Sequence, residues 1–258
     1  MRTLPMLGAA CIIATYGPAP VPGHWNNPAE AAAQHAGQAP VVGRLRLRAP
    51  VSKGDPKADR ILNQMHEKSK RLTTIQASIV QLKKVQFLRK PEEFKGVLYF
   101  KHEGPNKDKI RMTYKRDEKV TNDVLIDGDK IFFCQPNLKQ YIETKRSKQA
   151  EENPEFDFLA ASYGSVPNLK NRYTITYVRD EPVGIFSTSV IQLIPVGKSS
   201  SFTKVTFWVD QASWLPVQYK VDEQTGDTIT VTLSDIRRND QVPRGAFKLD
   251  LKDMKRIK

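Results

Sequence analysis

Residues 124–145 read VLIDGDKIFFCQPNLKQYIETK, from Val124 to Lys145. Two apolar runs, "VLI" and "KIFFC", flank Asp127-Gly128, and a second corner at Pro136-Asn137 leads into "QYIET". Asp-Gly between apolar runs signals a hairpin, because the positive φ of a two-residue turn is open to Gly. The stretch predicts strand, turn, strand, turn, strand, and it is nearly bare of groups that do chemistry. A chain that surrounds such short turns with this much oily strand is building an apolar surface.

The same alternation extends in both directions. "TIQASIVQL" alternates through Ile75, Ala77 and Ile79. "FKGVLYF" sets Phe94, Leu98 and Phe100 on one face and Val97 and Tyr99 on the other, and "IRMTY" follows. Downstream, "RYTITYV", "STSVIQLIP", "FTKVTFWVD", "WLPVQYKVD", "TITVTLSDI" and "FKLDL" recur at antiparallel spacing, joined by turns such as "DEQTGD". About ten or eleven strands with few helices predict a mainly β fold, a large curved antiparallel sheet or barrel. Helix is expected in two places. "ADRILNQMHEKSKRL" puts Ile61, Leu62, Met65 and Leu72 on one stripe, with Asp59 near its start. "ENPEFDFLAASYG" offers Asn153 as a cap and Pro154 in the first turn.

Three segments follow from composition. Residues 1–15 hold "LPMLGAACIIA", an apolar stretch of signal-peptide length, so export is expected. "LGAAC" keeps lipid attachment at Cys11 open, and an uncleaved start is the third alternative. Residues 16–57 are rich in Pro, Ala and Gly without apolar period, and read as a disordered linker that cannot bury enough surface to offset chain entropy. Residues 58–258 are expected to form one folded domain. No run of eighteen apolar residues exists to form an ordinary membrane-spanning helix.

The chain has 258 residues, 39% of them hydrophobic and 27% charged, and a formal net charge of +13. That excess is compatible with a basic soluble surface or with docking on an anionic membrane. Nucleic acid is disfavoured, because the aromatics alternate with aliphatics in strand register instead of forming stacking platforms. Groups that could do chemistry are sparse. The four histidines are dispersed, with no zinc spacing. "DGDK" lacks the later ligands of a calcium loop, and "ASYGS" is not a nucleophile elbow. Cys134 lies in an apolar run and reads as a buried small hydrophobe. No catalytic residue, metal site or cofactor is expected, and the reading is of a protein that is not an enzyme.

With the strands placed, the opening hairpin resembles the signature hairpin of the LolA-type outer-membrane lipoprotein carriers. "IQASIVQ" resembles that family's first strand, "GVLYFK" the next and "DKIRMTY" the one after. The run "QLIPVGKSSSFTKVTFWVDQASWLPVQYKVDEQTGDTITVTLSDI" is similar to its C-terminal half. The resemblance implies an unclosed antiparallel β-barrel whose apolar cavity is covered by short helices acting as a lid. It implies a monomeric periplasmic chaperone, without cofactor, that shields the acyl chains of a lipoprotein. Cargo would come from an inner-membrane ABC transporter and pass to an outer-membrane acceptor.

Strand positions expected to alternate into the cavity are Ile79, Leu98, Phe100, Met112, Ile131, Phe133, Phe207 and Tyr219, with Phe158 and Leu159 on the covering helix. The family's lid-bonding Arg, just before a Pro after the second strand, has no direct match in "FKHEGPNKDKIR"; Lys101 and Arg111 are the candidate substitutes. The family's C-terminal Pro-Gly is also missing from "FKLDLKDMKRI". A LolA-like envelope lipid sensor, or a scaffold with a protein partner, is the alternative function.

Overall fold

The computed structural model describes residues 54–104, 107–145, 169–196 and 201–257. The leader, nearly all of the linker, and the segment around Asn153 and Pro154 lie outside the described residues. Helix α1 spans Pro56–Ser69, starting ahead of Asp59. Asp55 explains the early start. Its carboxylate accepts from the Lys57 and Ala58 amides at 2.9 and 3.2 Å, and Pro56 stands in the first turn, where its missing N–H costs nothing. The stripe Ala58, Ile61, Leu62 and Met65 is buried; Leu72 is buried too, but beyond the helix end.

The first half of the sheet comprises β1 (Thr74–Lys84), β2 (Glu92–His102), β3 (Asp108–Arg116), β4 (Lys119–Asp127), β5 (Lys130–Gln135) and β6 (Gln140–Lys145). A one-turn helix, α2 (Leu169–Arg172), precedes β7 (Tyr173–Val183), β8 (Phe186–Pro195), β9 (Phe202–Asp210), β10 (Pro216–Glu223) and β11 (Thr228–Arg238). β12 (Lys255–Ile257) closes the series. The order across the sheet is β12-β6-β5-β4-β3-β2-β1-β11-β10-β9-β8-β7, all antiparallel except β12 on β6. β7 and β12 are separate edges, so the barrel does not close. β1 is the hub: β2 pairs along one side of it and β11 along the other.

The opening stretch folds as its residues dictate. Asp127 pairs with Lys130 across a two-residue turn in which Gly128 takes φ 59°. Pro136–Leu138 forms a single 3₁₀ turn, and Lys139 then reverses the chain with φ 49°. One expected strand is corrected. "FKLDL", residues 247–251, is not a strand but part of a turn-rich strap, and the final strand forms later, at Lys255–Ile257. The sheet therefore has twelve strands.

Two clusters stabilise it. Along β1, β3, β10 and β11 alternate residues are buried on one face, the inward one, whereas edge strand β7 buries only Tyr173. On the outer face, Val190, Trp208 and Val217 pack with Val183, Phe186 and Ile236. The Trp208 indole N–H donates to the Glu181 carboxylate, so burying the ring leaves its polar atom satisfied.

Candidate functional site

Register assembles the inward face row by row. One row runs Ala77, Leu98, Met112, Val124, Phe133, Ile142 across β1 to β6, and its neighbour runs Ile75, Phe100, Ile110, Ile126, Ile131. Across β11 to β8 the matching row is Val231, Tyr219, Phe207, Ile191. Ile79 joins the halves, pairing with Leu233 on one side and Gly96 on the other. Phe207 and Tyr219 stand with ring centroids 6.2 Å apart, tilted by 47°.

Thus Ile79, Leu98, Phe100, Met112, Ile131, Phe133, Phe207 and Tyr219 share one face, and none is more than 6% exposed. A surface made largely of such side chains offers apolar contact, which suits hydrocarbon. Phe158 and Leu159 lie outside the described residues.

The inward face ends in a charged rim. Along β1, Ile79 gives way to Gln81 and then to Lys83, both buried. Lys83 pairs with Glu92 in register, and Glu92 receives Arg116 at 3.0 Å. The Arg116 guanidinium lies 5.8 Å from the Phe94 ring centroid. Glu223 closes the same end of β10, and burial pushes its carboxyl above the usual range. The signal for this rim was present in "ASIVQLKK", where the inward parity passes from Ile79 to Gln81 and Lys83.

Lys101 and Arg111 occupy the opposite face. Lys101 pairs with Glu103 at 2.7 Å. Arg111 is fully engaged: Nε and Nη2 donate to the two oxygens of Asp123 at 2.9 and 2.7 Å, and Nη1 donates to the Ala246 and Lys248 carbonyls at 3.0 and 2.8 Å. It therefore latches the C-terminal strap onto the outer face. Cys134, opposite Asp123, is buried there as well. Burial, and then the Asp123 charge, pushes its thiol up to about 12, so it is no nucleophile at neutral pH. Among the described residues, no three His, Cys, Asp or Glu side chains converge as metal ligands would.

A family model described as "Outer membrane lipoprotein carrier protein LolA" matches residues 70–250, which takes in every described strand from β1 to β11. The chain belongs to the LolA family. No curated protein matches it. Among solved structures, it is similar to the Mycobacterium tuberculosis lipoprotein LppX at 17% identity, over 74% of this chain and 99% of that one, with a TM-score of 0.46. A LolA superfamily protein from Nitrosomonas europaea matches at 14% identity, over 74% and 97% of the two chains, with a TM-score of 0.37. The Pseudomonas aeruginosa MucA/MucB complex matches at 12% identity, over 75% and 61%, with a TM-score of 0.49.

Proposed function

We propose that this LolA-family protein is a periplasmic carrier that shields the acyl chains of lipoproteins, or of another amphiphile, on their way to the outer membrane. The carrying observation is the continuous apolar inward face contributed by both halves of the sheet. Each methylene withdrawn from water contributes about 0.8 kcal/mol, so an acyl chain crosses an aqueous space only when covered. The inward side chains already touch protein, so a loading acyl chain exchanges one apolar environment for another. The net gain is then a difference, which holds affinity to a level that permits release. No bond changes in such a cycle, and no cofactor is called for. An inner-membrane ABC transporter as donor and an outer-membrane acceptor complete the proposed route.

The burial of those same side chains favours a second reading, a lipid sensor or scaffold in which the face is a permanent core. Native mass spectrometry of the full-length chain with a synthetic diacylated lipopeptide separates the two. The carrier gives a one-to-one complex, weakened roughly tenfold or more by Phe133→Ala or Leu98→Ala, each truncating a buried anchor. Circular dichroism confirms that each variant is folded. A bare protein mass at micromolar lipopeptide rejects the carrier and leaves the sensor or scaffold.

A further inference from the structure

The β1–β2 connection, residues 85–91, reads VQFLRKP and follows Lys83-Lys84. From Lys83 to Pro91 the segment holds four cations and no acid. The Leu88 amide donates to the Val85 carbonyl at 3.0 Å, a tight turn that places Phe87 at its tip. The turn is braced from the β10–β11 hairpin: the Gln86 amide donates to Asp227 Oδ1 at 3.0 Å, and the Gln86 side chain packs beside Gly226. On this fixed backbone Phe87 is 89% exposed and Leu88 50%. Folding has braced the loop and left its two large apolar side chains in water.

The surroundings are selective. Lys84, Arg89 and Lys90 are exposed, and among the described residues none of them has an ion-pair partner. Of the nearby acids, Glu92 is paired with Arg116 and Glu93 with Lys95; Asp227 accepts the Gln86 amide and keeps its charge, and Asp117 and Glu118 stand in the β3–β4 turn. The antiparallel order brings further exposed apolar residues to the same end of the sheet, Leu138 after β5 and Val196 after β8.

We propose that this end docks on an anionic phospholipid bilayer, with Phe87 and Leu88 entering the interfacial layer and Lys84, Arg89 and Lys90 meeting lipid phosphates. Apolar insertion and charge attraction are each weak alone, and stable but reversible surface binding takes both. The inference rests on the carrier reading only in that a carrier has to meet a membrane to exchange cargo. The loop itself lies outside the inward apolar face.

The test is flotation of the full-length chain with phosphatidylcholine vesicles, with and without phosphatidylglycerol. Wild type is expected to bind only the anionic vesicles, and less as salt rises. Phe87→Ser with Leu88→Ser, and separately Arg89→Ser with Lys90→Ser, each lower that binding by roughly tenfold. Ile185→Ser removes a side chain 94% exposed at the opposite end of the sheet and leaves binding at the wild-type level. Undiminished binding by the Phe87/Leu88 variant, or an equal loss in the Ile185 variant, overturns the proposal. So does a concentration-dependent dimer that only the Phe87/Leu88 variant abolishes, with vesicle binding unchanged, which would make a second copy the occupant. Lipopeptide binding by the same variants is expected at the wild-type level; its absence from wild type too would reject the carrier and leave the vesicle result standing.

Discussion

Gly96 decides how closely β2 and β3 approach. A Cβ built on it would lie 1.9 Å from the Thr113 carbonyl oxygen and 2.9 Å from its carbon, both backbone atoms that cannot swing aside. Space, not a special φ, excludes a side chain here. Gly96→Ala is expected to cost about 1–3 kcal/mol, the usual range for overpacking, and more if the ladder opens. Urea unfolding measures it, and an unshifted midpoint would contradict the close approach. Residue parity teaches a further lesson. Lys101 follows Phe100 and Arg111 precedes Met112, so strand alternation alone sends both cations to the face opposite the apolar one. Likeness to the family's lid arginine drew attention to their charge, while the parity that places them was legible in the sequence throughout.

At the level of elements, α1 is tied to the sheet edge by one carboxylate. Asp55 Oδ1 caps the helix, and Oδ2 accepts the Tyr177 amide of edge strand β7 at 2.7 Å. Lys57 reinforces the joint, 3.7 Å from the Tyr177 ring centroid and paired with Asp180 at 3.4 Å. The Tyr177 amide first, and then the helix amides, hold the Asp55 carboxyl below the usual carboxylate range. A lowered folded value stabilises above the unfolded pKa and is lost as pH falls through the folded one. Asp55→Ala should therefore lower stability by about 1 kcal/mol at neutral pH. The gap from wild type should narrow below roughly pH 4. Thermal melts at neutral and acid pH check this, and a gap unchanged by pH would remove Asp55 ionisation from the account. From sequence, α1 is expected with Asp59 near its start, because Gly54, Asp55 and Pro56 look like the end of a Pro-rich linker; a cap and its first-turn proline have the same composition as a loop.

For the whole molecule, Arg111 holds the strap that carries the chain from β11 across the outer face to β12 on β6. Arg111→Ala would leave Asp123 buried without its charge partner, at a cost of roughly 3 kcal/mol or more. Arg111→Lys should fail in the same direction, since one ammonium cannot replace a fork on a carboxylate together with two carbonyl bonds. Hydrogen exchange across residues 243–257 is expected to quicken in both variants, and protection equal to wild type would show that the strap holds by other contacts. The same strap explains the miscast strand. "FKLDL" alternates like a strand, but alternation reports only which side chains want burial, and a strand also needs a free edge to pair with. By itself the sequence determined strands β1 to β11, the turn at Asp127-Gly128 and the parity that gathers an apolar face, because period-two burial and turn conformation are properties of a few adjacent residues. Only the tertiary structure decided that β1 lies beside β11, that the sheet stays open between β7 and β12, and that Arg111 latches the C-terminus. Those are pairings between distant segments, set by how the whole sheet satisfies its backbone hydrogen bonds, and no local pattern encodes them.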